Sequence, residues 1–321
     1  MFRNKSVFLY QKDKVLTISC NRMKKILFAM VLALATVGTQ AQLLYRISGK
    51  GLTAPSYIVG TYHLASVSFV DSIPGMRQAM ADTQQTYGEL LMEEMLAPDS
   101  LAMMQQAMML PDSLTLDKLL TAEEMGRLNA YMRQLMGMDM TNPMVALQMG
   151  KLSPSALSTT LSMISYMKKS GMFDPLNGFD NYFQKEAHAQ GKTIGGLETI
   201  AFQTETLFKS QTLERQKELL MCQIDNAAFM DKMAEEVTAA FYRQDIEGIK
   251  KAMDAKLDSS CDSSPEEEAQ LIGGRNADWL TKMPAIMADR STFFAVGAGH
   301  LPGDDGVLHL LRQAGYTVEG M

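Results

Sequence analysis

Thr292-Phe293-Phe294-Ala295-Val296-Gly297-Ala298-Gly299-His300 is an apolar run that stops on two glycines and a histidine. Aromatic and β-branched residues bounded by glycine predict a short buried strand, with the imidazole delivered to the rim of a sheet. The glycines are expected to let the backbone turn tightly at that point. A near twin lies upstream, where Tyr57-Ile58-Val59 runs into Gly60-Thr61-Tyr62-His63. Two G-x-x-H turns about 240 residues apart, in a chain with four histidines, are expected to converge.

Downstream of His300 the pattern reads as a loop, a helix with Val307, Leu310, Leu311 and Ala314 on one face, and a last strand at Tyr316-Thr317-Val318. Strand, helix and strand in that order place His300 outside the carboxyl end of a strand, where α/β folds hold ligands. His309 falls on the flank of that helix and is expected to be solvated.

Upstream, Leu43 to Ile47 and Ser56 to Val59 are two β-type runs joined by a Gly- and Pro-containing loop, which predicts a hairpin. A helix is expected from Pro74. Gln85-Thr86-Tyr87-Gly88-Glu89-Leu90-Leu91 reads as a further strand with Glu89 inside it. A buried carboxylate needs a partner or a metal, so Glu89 is a candidate ligand; an edge-strand glutamate facing water is the plainer alternative.

From Pro98 to about Met172 the chain reads as helical, and 16 of its 28 methionines lie between Met92 and Met172. Thr121 and Glu124 have capping-box spacing, which predicts a helix from Ala122 to about Met136 that Gly137 ends. Asn142-Pro143 and Ser153-Pro154 mark two further starts. The methionines serve as flexible core filler or as an adaptable groove for an apolar peptide or lipid-like ligand. They are too dispersed for a tight copper array. The block, about residues 97–172, is expected to be a helical insertion in an α/β core.

Asp180 reads as lying at or near the N-cap of a helix ending near Gly191, with His188 complementing the dipole in its last turn. Thr193 to Thr199 then reads as strand and turn, with Glu198 at a strand end or at the start of the next helix. Ser264-Pro265 with three glutamates predicts a capped helix start. That helix carries Arg275, either a clamp for an anion in a cleft or a surface charge.

The first forty-one residues stand apart. Met23-Lys24-Lys25, an apolar run from Ile26 to Val37, and Thr39-Gln40-Ala41 have the order of a Sec leader with a small-x-small cleavage site. Translation is expected to begin at Met23, and the product to be exported. The membrane then enters only through that leader before cleavage. Residues 1–42 hold seven Lys/Arg and one Asp of 30 basic and 36 acidic residues, so the remainder carries about −12. A domain that acidic is a poor partner for nucleic acid. Cys222 and Cys261 remain after the leader; export makes a disulfide feasible, and sequence alone does not pair them.

Two histidines with one or two glutamates at strand ends offer imidazole and carboxylate donors for a divalent ion, with manganese, cobalt, zinc and iron all admissible. Such an ion polarises carbonyls and makes water nucleophilic near neutral pH, so hydrolysis is the expected reaction class. H-E-x-x-H, G-x-S-x-G and P-loop motifs are all missing from the sequence.

The two G-x-x-H turns, with Gly88-Glu89-Leu90, Gly178-Phe179-Asp180, Gly195-Gly196-Leu197-Glu198-Thr199 and the closing Val296-Gly297-Ala298-Gly299-His300-Leu301-Pro302-Gly303, resemble the TraB/PrgY/GumN family, bacterial relatives of the TIKI metalloproteases. The resemblance spans about residues 43 to 321. It implies an α/β fold, a central mixed β-sheet flanked by helices with a helical portion between sheet segments. It also implies a metal-dependent peptidase with His63, His300 and Glu89 at the metal, and Glu198 at a recurrent family position. Arg275-Asn276 falls where relatives carry an Arg-Asn pair, and Arg275 is the candidate electrostatic stabiliser. Leu44-Tyr45-Arg46 departs from a tryptophan common in relatives. A peptide or protein substrate is expected; a non-catalytic peptide- or ligand-sequestering protein of the same fold is the alternative. Oligomeric state is left open.

Overall fold

The computed structural model describes residues 42–170 and 178–321. The expected leader lies outside the described residues, as do the last two residues of the expected helical insertion. Six strands, β1 (Leu44–Ser48), β2 (Ser56–Thr61), β3 (Gln85–Gly88), β4 (Thr193–Gly196), β5 (Thr292–Gly297) and β6 (Thr317–Gly320), form one sheet in the order β4-β3-β5-β2-β1-β6. The strand pairs β2–β5, β3–β5 and β3–β4 are parallel, whereas β1 runs antiparallel to both β2 and β6. The sheet is therefore mixed, as expected, and the first two strands form the expected antiparallel pair with Leu44 opposite Val59.

Parallel order has a direct functional consequence. The strands β2, β3, β4 and β5 all end at the same edge, and within three residues of those ends stand His63, Glu89, Glu198 and His300. The central pair β2 and β5 is buried almost throughout, which matches their unbroken apolar sequence and cover on both faces. Phe179, Phe183, Phe241, Trp279, Phe293 and Phe294 are fully buried and dominate the volume of this core.

One strand is shorter than the sequence predicts. β3 stops at Gly88, not Leu91, so Glu89 stands beyond the strand end. The backbone at Gly88 is pressed against the Gln184 amide, and a Cβ there would sit 2.4 Å from Gln184 Nε2. Gln184 donates to Leu90 O at 2.7 Å and accepts from Met92 N at 3.0 Å, which turns the chain away from the sheet.

The helical portion contains the expected elements: Pro98–Ala107, Ala122–Met136, Pro143–Met149 and Pro154–Ser170. Thr121 and Glu124 make the full capping box, and Gly137 closes the helix in the left-handed region at φ 78°. Leu128, Met132, Val145, Leu157 and Leu161 bury a second apolar cluster together with Leu220, Met221 and Ile224. Those last three belong to helix Leu213–Asp225, far along the chain, so this lobe is completed by a segment outside residues 97–172. Cys222 of that helix is disulfide-bonded to Cys261, closing a separation of 39 residues. No helix among the described residues is long and apolar enough to cross a membrane.

Candidate functional site

Arg275 is the hub of the carboxyl edge. It lies on helix Gly274–Asp289, directly after a π-helical turn at Ala269–Gly273, a widened turn of the kind that re-aims side chains. Its side chain is 6% exposed, which decides for the cleft over the surface. Nε donates to Glu198 Oε2 at 3.1 Å and Nη2 to Glu198 Oε1, a two-pronged grip on one carboxylate. Nη2 also donates to Glu89 Oε2 at 2.6 Å. Nη1 reaches His300 Nε2 at 3.1 Å and Leu271 O at 3.1 Å.

Glu89 is held from three sides. Its Oε1 accepts the Gly297 N–H at 2.7 Å, and its Oε2 accepts from Gln203 Nε2 at 3.2 Å besides Arg275. The water-facing alternative fails, because 14% of the side chain is exposed. Burial works against its ionisation, but His300, Arg275 and the Gly297 N–H outweigh it and hold the carboxyl below the usual range. Glu198 is more deeply enclosed, at 1% side-chain exposure, and also accepts from Gln203 at 2.9 Å. Its strand-end position is confirmed; the next helix starts two residues later at Ile200, capped by Thr199.

His300 is buried in a 3₁₀ turn at Ala298–His300, with Trp279 stacked 4.5 Å away between ring centroids. Asn276 fixes its tautomer. The Asn276 amide nitrogen donates to Asp305 O at 2.8 Å and His300 O at 3.3 Å, so its oxygen is left to accept from His300 Nδ1–H at 2.7 Å. The Nε2 lone pair therefore faces Arg275 Nη1. Burial, with the Arg275 charge acting in the same direction, pushes the imidazole down to about 4, so it is neutral near pH 7.

His63 has the opposite electrostatic setting. Its Nδ1 lies 2.6 Å from Asp180 Oδ2, and that carboxylate raises the imidazole to about 9. Thr61 donates to the other oxygen of Asp180. Asp180 lies near the N-cap as expected: Gly178 is the cap, and Asp180 in the first helical turn directs its side chain to His63 and Thr61. A residue that serves both the helix dipole and a facing strand end carries only the signature of the helix in sequence. Gln203, which bridges the two glutamates, gave no signal there at all.

The glycines of the two G-x-x-H turns act differently from the expected tight turn. None of Gly60, Gly297 and Gly299 adopts a positive φ. They permit close approach: a Cβ on Gly60 would lie 2.9 Å from Leu301 Cδ1 and 3.0 Å from Ala298 Cα, and one on Gly297 would lie 3.0 Å from Glu89 Oε1. The first histidine turn is thereby packed directly on the second.

The donors can be tested against a divalent ion. Both histidines are anchored through Nδ1 to a side-chain oxygen, the arrangement that orients metal-bound imidazoles and leaves Nε2 as the ligand atom. His300 Nε2 and Glu89 Oε1 stand 3.8 Å apart, a separation one ion can span at ligand distances of about 2 Å. In donor type the set fits; His300 already has its Nε2 lone pair, whereas His63, kept protonated near pH 7 by Asp180, would release its Nε2 proton on binding an ion. Among the described residues no three His, Cys, Asp or Glu side chains are grouped closely enough to hold an ion as they stand. The Arg275 guanidinium is the cation that His300 and Glu89 share in this arrangement.

His188 and His309 lie apart from the edge, His188 pairing with Glu93 at 3.2 Å and His309 contacting Gln313 at 2.8 Å. Met132 is buried in the helical lobe, as expected of a core filler, while Met92, Met95 and Met163 line a cavity beside His63 and Glu89.

The sequence profile of the TraB/PrgY/gumN family matches residues 43–320. The chain belongs to that family. This family member is also similar to two curated proteins, Metalloprotease TIKI2 of Xenopus tropicalis and Metalloprotease TIKI2 of Danio rerio. Identity is 23% over 304 residues for the first and 24% over 308 for the second, each covering 83% of this chain. The chain spans 57% and 58% of the length of those relatives. No solved structure matches it significantly.

Proposed function

We propose that this protein is an exported, divalent-metal-dependent hydrolase of peptide bonds. The observation that carries the reading is the pair of histidines, each anchored through Nδ1 and each delivered by a parallel strand to the edge that holds Glu89. His63 and His300 through Nε2, and Glu89 through its carboxylate, would hold the ion. When bound it would polarise the scissile carbonyl and make water nucleophilic near neutral pH. Names of the TIKI2 relatives support the class, and the leader with the Cys222–Cys261 disulfide supports an oxidising, exported setting.

The chain's own groups have separable tasks. Asp180 and Asn276 orient the two imidazoles. Glu89, ionised and within the cleft, is either the carboxylate ligand or, in place of that role, the base that accepts a proton from the attacking water. Glu198 holds Arg275 in place, and Arg275 in turn fixes Glu89 and presents positive charge where an oxyanion would develop.

The deciding experiment is metal content and peptide-library cleavage by residues 42–321, with His63→Ala and His300→Ala as variants. Binding of manganese, cobalt or zinc with cleavage lost in both variants is the expected result. Protein that takes up none of these ions and cleaves nothing overturns the reading. One observation favours a second reading, sequestration of a peptide without turnover: Arg275 already engages His300 and Glu89, so the cleft has its cation in place. Chelator-insensitive peptide binding without products would mark that outcome.

A further inference from the structure

Two cavities meet at His63. The smaller, about 280 Å³, extends from His63 and Glu89 under Leu90, Met92, Met95 and Met163. The larger, about 630 Å³, runs from His63 between helices Pro154–Ser170 and Ala227–Tyr242, and Met163 is also part of its wall. His63 and Met163 are thus shared by both, and a chain crossing His63 has one cavity on either side.

The polar groups that line the smaller cavity are already committed. Gln184 is spent on Leu90 O and Met92 N, and Gln203 on Glu89 and Glu198. Asp180 is taken by His63 and Thr61. What remains toward the space is the buried Leu90 and three half-buried thioether side chains, which repack around varied apolar shapes at small cost. In the larger cavity the ionic groups pair among themselves, Lys169 with Asp231 at 3.1 Å and Glu235 at 3.0 Å, and Tyr166 donates to Leu64 O at 2.7 Å. Its volume suits several residues of an extended chain rather than a single side chain.

From this juxtaposition we infer that the small cavity is a specificity subsite for a bulky apolar side chain of a peptide, and that the large cavity holds the extended remainder of the same peptide. The inference rests on the peptide-hydrolase reading for its ligand class, and it adds which side chain is selected and by which residues. A charged residue in the small cavity would meet thioethers on one side and the Glu89 and Asp180 carboxylates on the other, and the charge of His63 at its mouth is already balanced by Asp180.

The test measures equilibrium binding of fluorescein-labelled peptides to the full chain in chelator, so no turnover is needed. The series differs at a single position scanned through Leu, Met, Phe, Gly and Asp within an otherwise fixed sequence. At one scanned register, Leu, Met and Phe peptides are expected to bind about tenfold tighter than the Asp peptide, a typical discrimination for an apolar pocket. Met95→Glu and Met163→Glu should each erase that preference, with unfolding curves showing that the variants remain folded. Equal affinities across the series in every register overturn the subsite on the wild-type protein alone. Apolar preference in binding, with no cleavage of the same peptides when manganese, cobalt or zinc replaces the chelator, leaves the subsite standing and overturns the hydrolase reading; cleavage without side-chain preference does the reverse.

Discussion

Glu89 accepts the backbone N–H of Gly297 at 2.7 Å, which ties the end of β3 to the turn that carries His300. The same carboxylate takes Arg275 on its other oxygen at 2.6 Å. One side chain thus couples two strand ends and the helix behind them, and the first prediction concerns that coupling.

Arg275→Met leaves Glu89 and Glu198 buried side by side without their cation. Removing one partner of such a group costs about 3–5 kcal/mol, so the variant is expected to unfold at markedly lower denaturant. Adding Glu198→Gln should restore part of the loss, with a coupling of about 1 kcal/mol or more in a double-mutant cycle. Strictly additive losses in chemical denaturation would show that the contacts are not energetically linked.

Gly60→Ala should destabilise by about 1–3 kcal/mol, the usual cost of forcing extra volume into a packed contact. The new methyl would meet Leu301 Cδ1 at 2.9 Å and Ala298 at 3.0 Å. Gly126→Ala is the control: it sits inside the Ala122–Met136 helix with nothing within 4 Å, and should stabilise by about 0.5–1 kcal/mol. Calorimetric unfolding of the two variants should therefore move in opposite directions.

Asp180→Asn keeps the shape of the residue but removes the charge that orients His63. Loss of an orienting carboxylate behind an imidazole ligand lowers metal affinity by about 10–100-fold. Isothermal titration with zinc, manganese and cobalt reads the effect directly. An unchanged affinity would remove His63 from the ligand set.

A pH effect is expected away from the cleft, at Arg215 and Glu267. Arg215 donates to both oxygens of Glu267 at 2.9 Å, and these bonds hold the carboxyl at about 2. A pKa lowered in the folded state stabilises above the unfolded value, and that stabilisation fades as pH falls from about 4.5 toward about 2. Partial exposure to water limits the contribution to about 1 kcal/mol. Glu267→Gln should flatten this part of the acid stability curve, and identical slopes for wild type and variant between pH 5 and pH 2 would refute the assignment.

Much of the fold is legible residue by residue. The capping box at Thr121 and Glu124, the stop at Gly137, and the Ser264-Pro265 start all appear where expected, because each is made by side chains within a few positions of the backbone groups they satisfy. The buried runs of β2 and β5 announce themselves for a similar reason: strands covered on both faces must be apolar throughout. Where a long-range contact intervenes, local reading errs. β3 ends three residues early because Gln184, almost a hundred positions away, occupies the space beside Gly88.

The site follows the same division. By itself the sequence determined that two histidines would stand at strand ends, since strand patterns and their terminal residues are local properties; it put Glu89 inside a strand and Glu198 at a strand end or a helix start. Tertiary structure alone decided that β2, β3, β4 and β5 share one carboxyl edge, that Arg275 turns inward to bind Glu89, Glu198 and His300, and that Asp180 in its first helical turn meets His63. Those facts rest on partners brought from 25 to 186 positions away, and no short window of sequence encodes a distance between them.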